Sequence, residues 1–290
     1  MKPPRSAPVL AFTAEPDAEV PVALPPTAAA RGGEQPVAQG IDLAGKPKVT
    51  LLIGAGRTGK TTLARWIGEK AAGEKQDVAL AAADPLNRSL ANYFDNVAQP
   101  DGNDPAATAA WLERLLGHVM NSPASVVLDL GGGDTSLGMV LRAAPDLPQM
   151  MAEAGCPMVA LYVLGPRVDD LAAPAAMDAL GFRPEARAIV LNEGIAEATL
   201  AREDAFGRVL RHSAYRAAID SGAVPLWIPR IAGSAAGEVE GKRLSFHDAA
   251  AGISPPDRKV VPMGPFDRSR VRRWLADMDR EFAGVASWMP

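Results

Sequence analysis

Six short apolar runs, at residues 49–53, 78–83, 125–130, 159–164, 188–191 and 224–228, are each bounded by glycine, proline or a polar cluster. Runs of this length, rich in Val, Ile and Leu, predict buried strands rather than helices. The stretches between them carry helical spacing. Thr61–Ile67 opens a helix that Gly73 is expected to stop. Asp104–Pro105 reads as an N-cap with proline at the first helical position, and the helix it opens places Trp111, Leu112, Leu115, Leu116 and Val119 on one face. Further helices are expected near residues 168–180, 201–210, 215–221 and 267–286. Strands alternating with helices predict an α/β fold, a doubly wound, mainly parallel sheet with helices on both faces. No internal repeat is visible.

Residues 1–47 break this pattern. Prolines 3, 4, 8, 16, 21, 25 and 26 interrupt any helix, and no period of two or 3.6 is sustained. Such a segment buries too little apolar area to offset its ordering entropy, which predicts a disordered Pro/Ala-rich tail over 1–47 and one domain over 48–290. Val20, Val22 and Leu24 are its candidate partner contacts, against the plainer reading of a solvated extension.

Composition narrows the class. The chain has 290 residues, 48% hydrophobic and 22% charged, as expected of a globular protein. The net charge of −4 advertises no global nucleic-acid affinity, so any DNA contact must be a local patch. One cysteine, Cys156, excludes an intramolecular disulfide and any multi-cysteine metal site, and its expected role is a small buried hydrophobe. His118, His212 and His247 share no metal-ligand spacing, and no Ser/His/Asp nucleophile arrangement is evident. No apolar run approaches the roughly 20 residues that span a bilayer, and no signal-like layout opens the chain. A cytoplasmic protein without membrane partners is expected.

The chemistry concentrates after the first strand. Gly54-Ala55-Gly56-Arg57-Thr58-Gly59-Lys60-Thr61 reads G-x-x-x-x-G-K-T, between a strand and a helix, as a P-loop requires. Gly54, Gly56 and Gly59 let backbone N–H groups converge on one polyphosphate, with the helix dipole adding to the field. Arg57, Thr58 and Thr62 complete the phosphate-binding stretch. Lys60 is expected at the β/γ-phosphates and the Thr61 hydroxyl on Mg²⁺. In an open parallel sheet the ligand lies at the carboxyl ends of the strands. Asp84 and Asp129 close the second and third predicted strands there; Asp129 is the candidate Mg²⁺ carboxylate, and Asp84 the residue that helps with the metal or orients water. The glycines at 131–133 leave room for backbone to approach a γ-phosphate.

These motifs, with Ala83-Asp84-Pro85-Leu86-Asn87, Asp129-Leu130-Gly131-Gly132-Gly133-Asp134 and Ile189-Val190-Leu191-Asn192-Glu193, resemble the ParA/MinD group of P-loop ATPases, in particular the ParA-like proteins of plasmid partition and mobilisation. Weaker echoes are Trp227-Ile228-Pro229-Arg230 and Leu244–Ala249. The likeness runs over roughly 48–250. It implies an ATP- and Mg²⁺-dependent ATPase that dimerises on nucleotide, with Asp84 in a switch region, Asp129 as the Walker-B acid and Asn192 reading adenine. The group usually carries K-G-G-x-G-K-[ST], whose extra lysine reaches the partner's phosphates. Here Ala55 stands at that lysine and Arg57 at the second glycine, so either Arg57 supplies the charge in trans or the dimer and its hydrolysis are weakened.

The resemblance also implies nonspecific DNA and an adaptor or relaxase-type protein as partners. Arg268, Arg270, Arg272 and Arg273 are the candidate phosphate contacts, against a solvated face paired with Asp277, Asp279 and Glu281. Two rival classes remain at this stage: a metabolic P-loop kinase or ligase, and a non-hydrolysing nucleotide-binding scaffold.

Overall fold

A computed structural model describes residues 38–83, 89–102, 104–255 and 258–290. Asp84 and the Pro85-Leu86-Asn87 part of its motif fall outside the described residues, as does most of the expected tail. The fold that follows is that of the described residues.

Among the described residues seven parallel strands form one sheet: β1 (Val49–Ile53), β2 (Val78–Ala82), β3 (Val97–Ala98), β4 (Ser125–Asp129), β5 (Met158–Leu164), β6 (Ala186–Asn192) and β7 (Val224–Ile228). Their spatial order is β3-β2-β4-β1-β5-β6-β7, with β1 at the centre. Eleven described helices connect and cover them. These are α1 (Lys60–Gly73), α2 (Pro105–Asn121), α3 (Ser136–Ala143), α4 (Leu147–Glu153), α5 (Ala172–Ala179), α6 (Arg202–Ala205), α7 (Gly207–Arg211), α8 (Ser213–Asp220), α9 (Ala235–Lys242), α10 (Phe246–Ala251) and α11 (Pro265–Glu281).

The period-two alternation of a strand divides the sheet between two cores. Leu52, Val127, Leu161 and Val190 face one side with Leu63, Trp66 and Ile67 of α1 and Trp274 and Met278 of α11. Leu51, Leu128, Ala160 and Leu191 face the other with Leu112, Leu116 and Val119 of α2. Helices therefore cover both faces, and the doubly wound α/β expectation holds. Cys156 is fully buried in the second core, where burial raises its thiol pKa.

Several elements depart from the sequence reading. The edge strand β3 is two residues long, too short to show a period, and it pairs beside β2 through Leu80 and Ala81. The helix expected over 168–180 enters through a 3-10 turn at Val168–Leu171, and α11 ends at Glu281 before a further 3-10 stretch at Ala283–Trp288. The packed body also begins before residue 48. Leu43 is 2% exposed, and the Lys48 ammonium donates to the carbonyls of Leu43, Ser287 and Met289 at 2.8–2.9 Å.

Candidate functional site

Parallel pairing sets the site. Leu52 of β1 lies in register with Asp129 of β4, so the loop leaving β1 emerges beside the carboxylate that ends β4. Gly54 to Gly59 then turn the chain into α1. A Cβ on Gly54 would stand 2.3 Å from the Val163 carbonyl oxygen. On Gly59, at φ 99°, it would stand 2.2 Å from Asn192 Nδ2. Neither position admits a side chain. Arg57 is exposed at the loop's apex with φ 67°, a left-handed conformation that glycine adopts freely and arginine does not.

The candidate side chains converge beneath this loop. Thr61 Oγ1 donates to Asp129 Oδ2 at 2.6 Å. Lys60 Nζ donates to the carbonyls of Gly54 and Ala55 at 3.0 and 2.8 Å, curling back over the cradle. Thr58 Oγ1 closes the turn on Ala55 O at 3.0 Å. Lys60 and Asp129 are 6% and 8% exposed, and with Thr61 they line a cavity of about 730 Å³. Gly56, Arg57, Gly59 and Thr62 line it too, as do Ala82 and Ser89 on either side of the Asp84 segment.

The donor set suits a hard cation. A hydroxyl and a carboxylate in contact are the two protein ligands that Mg²⁺ takes when phosphates and water fill the rest of its octahedron. Among the described residues no group of three or more His, Cys, Asp or Glu gathers to make an all-protein metal cage.

Asn192, at the end of β6, is brought to the P-loop. Its Nδ2 donates to Thr58 O at 2.8 Å and its Oδ1 accepts from Gly194 N at 2.9 Å. One N–H and one lone pair remain on the amide. The turn after it is held from outside: Arg202 Nε pairs with Glu193 at 2.5 Å, and Arg230 Nη2 donates to Ala196 O at 2.6 Å. Arg230, Ile195 and Pro229 line the cavity as well.

The sequence reading missed part of this. Gly132, beyond Asp129, packs so close that a Cβ would stand 2.4 Å from Gly56 Cα, so this glycine lies against the P-loop backbone itself. Arg65, Tyr93 and Glu240 line the cavity without belonging to any motif. The signal for Arg65 was its spacing, four residues after Thr61 on one helix face.

The basic start of α11 is partly committed. Arg270 pairs with Asp267 at 2.7 Å and Arg272 donates to Ala250 O at 3.1 Å. Asp277, Asp279 and Glu281 pair with Arg280, Lys70 and Arg202, not with the leading arginines. No described helix is long and apolar enough to cross a membrane.

An all-parallel sheet with a P-loop leaving its central strand and an acid on the neighbouring strand is the α/β P-loop NTPase fold. No family model matches the sequence, and a search of the curated proteins returns no match. Among solved structures the chain is similar to chloroplast FtsY from Physcomitrella patens, at 15% identity and a TM-score of 0.43, over 83% of this chain and 69% of that one. It is also similar to the signal recognition particle receptor FtsY from Elizabethkingia anophelis in complex with GDP, at 19% identity and a TM-score of 0.39, over 66% of this chain and 60% of that one. Neither likeness bears on the activity of this chain.

Proposed function

We propose that this chain is a slow, Mg²⁺-dependent ATPase of ParA-like type, a nucleotide-driven switch in plasmid or chromosome partition or in conjugal mobilisation. The observation that carries the nucleotide reading is the 2.6 Å contact between Thr61 and Asp129 on the floor of a P-loop cavity. ATP preference and the cellular role rest on the sequence resemblance.

In this reading the backbone amides around residues 54–61 cradle the phosphates. Lys60 leaves the Gly54 and Ala55 carbonyls to meet the β/γ-phosphates, since those carbonyls are only neutral acceptors and a phosphate is a charged one. Bound Mg²⁺ would neutralise charge on the β- and γ-phosphates. Thr61 and Asp129 hold it, and Asp84 orients the attacking water. Arg57 reaches toward a second copy, and the ATP-bound dimer engages DNA or an adaptor or relaxase-type protein.

Calorimetry with Mg-ATP and Mg-GTP, together with radiolabelled turnover across protein concentrations, tests this. Expected are ATP binding lost in Lys60→Ala, turnover lost in Asp129→Asn, and turnover that rises with protein concentration and with random duplex DNA. Retained binding in Lys60→Ala would end the P-loop reading. Preference for GTP would end the ATPase assignment, and turnover that depends strictly on a small molecule would favour a kinase or ligase. Concentration-independent turnover, unchanged in Arg57→Ala, would remove the trans role.

A further inference from the structure

The P-loop accounts for one end of the cavity. At another wall stands Arg65, one turn beyond Thr61 on α1, with its side chain 1% exposed. Its guanidinium lies between two aromatic faces, 3.4 Å from the Tyr93 ring centroid and 4.3 Å from that of Phe246. Nη2 donates to Leu244 O at 3.0 Å, and Nη1 to Glu240 Oε1 at 2.5 Å. The Tyr93 hydroxyl donates to the other oxygen, Glu240 Oε2, at 2.9 Å. One carboxylate is thus held oxygen by oxygen between a buried cation and a phenol. Yet the Glu240 side chain is 58% exposed. Arg65 Nε is buried and has no hydrogen-bond partner among the described residues.

We propose that Arg65 and Tyr93 form a subsite for the carboxylate or phosphate group of a small molecule that enters the cavity beside the P-loop, with the Glu240 carboxylate as its built-in competitor. A buried guanidinium needs a counter-charge, and losing it without replacement is costly. Exchanging one anion for another keeps the balance. Glu240 gives up little on leaving, because a mostly exposed carboxylate keeps most of its hydration either way and exposed pairs contribute little. The two donors already present the spacing of one carboxylate's two oxygens, and the flanking rings exclude water and favour the cation between them. Thr61 and Thr62, one turn earlier on the same helix, line the same space, so the bound anion would lie next to the phosphate cradle. The subsite does not depend on whether the P-loop hydrolyses ATP.

The test is calorimetry on the full chain at constant ionic strength, with succinate and inorganic phosphate as separate probes. In Glu240→Gln at least one probe is expected to bind about tenfold more tightly than in wild type, the effect of removing one charged competitor. Adding Arg65→Lys should abolish the gain, since an ammonium lacks the planar fork. Adding Tyr93→Phe instead, which keeps the ring and deletes one hydroxyl, should weaken it several-fold and guards against a misfolded arginine variant. Lys60→Ala in the Glu240→Gln background should leave the gain intact while removing nucleotide binding, so failure here is distinguishable from failure of the ATPase reading. A gain with succinate alone assigns a carboxylate ligand, and with phosphate alone a phosphorylated one. Equal affinities in wild type and Glu240→Gln, or a gain that survives both Arg65→Lys and Tyr93→Phe, or one lost with Lys60→Ala, would overturn the proposal.

Discussion

At the P-loop, single residues are constrained in opposite ways. Gly54, Gly59 and Gly132 stand where a Cβ has no room, whereas Arg57 has room but the wrong backbone, at φ 67°. A non-glycine residue there costs about 1–2 kcal/mol. Arg57→Gly should therefore raise the melting temperature by several degrees, and Arg57→Ala, which keeps the strain, should not. If thermal unfolding shows Arg57→Gly no more stable than Arg57→Ala, the strain is absorbed elsewhere. Asn192 poses a different choice. The resemblance makes it an adenine reader, whereas its bonds to Thr58 O and Gly194 N make it a strut that fixes the loop from β6. Losing a strut weakens every nucleotide alike; losing a base reader weakens one. Asn192→Ala is expected to reduce ATP and GTP binding by a similar factor, on the order of tenfold for the 1–3 kcal/mol left by an unpaired buried carbonyl. A loss confined to ATP in parallel titrations would restore the reader.

The decisive element is α1, and its i, i+4 stripe shows how one helix serves two tasks. Thr61 meets Asp129, Arg65 holds Tyr93 and Glu240, and Glu69 Oε2 accepts from Phe246 N at 2.7 Å, capping α10. Glu69 also faces His247 Nδ1 at 3.3 Å, and this bond raises the histidine pKa above 6.5, with the nearby Asp248 and Asp279 adding to it. A raised folded pKa means that protonated His247 stabilises the fold fully below about 6.5, and the contribution fades as pH rises through the raised value. Denaturant melts of wild type and His247→Phe should differ most below about pH 6.5 and converge as pH rises through the raised pKa. A gap that is constant with pH would assign His247 a packing role only. The P-loop was legible because its chemistry needs a fixed local string, and β1 and β4 because buried strands read as apolar runs. Arg65 and Glu240 were not legible, since the pair joins residues 175 positions apart and neither end has a motif.

Across the molecule, the sheet was readable because it alternates with helices, but its order is a property of tertiary pairing that no local pattern states. The same holds for how residues 38–47 are fastened to residues 287–289. The sequence pattern leaves residues 38–47 to the tail, yet Leu43 is buried and Trp288 Nε1 donates to Ile41 O at 2.9 Å. Lys48 explains this. A lysine at the head of a core strand invites no reading from sequence, but its ammonium gathers the carbonyls of Leu43, Ser287 and Met289. Burial lowers its pKa to about 8, against an opposing pull from Asp42. Between about 8 and the ordinary 10.5 the unfolded chain binds more protons than the folded one at this site, so its contribution to stability rises with pH across that window. Lys48→Met removes both effects and leaves three carbonyls without their donor, at about 1–3 kcal/mol for a buried one. The variant should be less stable throughout, with cleavage by a nonspecific protease at residues 41–47 and 287–290 ahead of the sheet. Its deficit relative to wild type should widen from pH 8 to 10.5 in chemical denaturation. A deficit that stays flat there would mean that burial does not lower the pKa of this lysine in the folded chain.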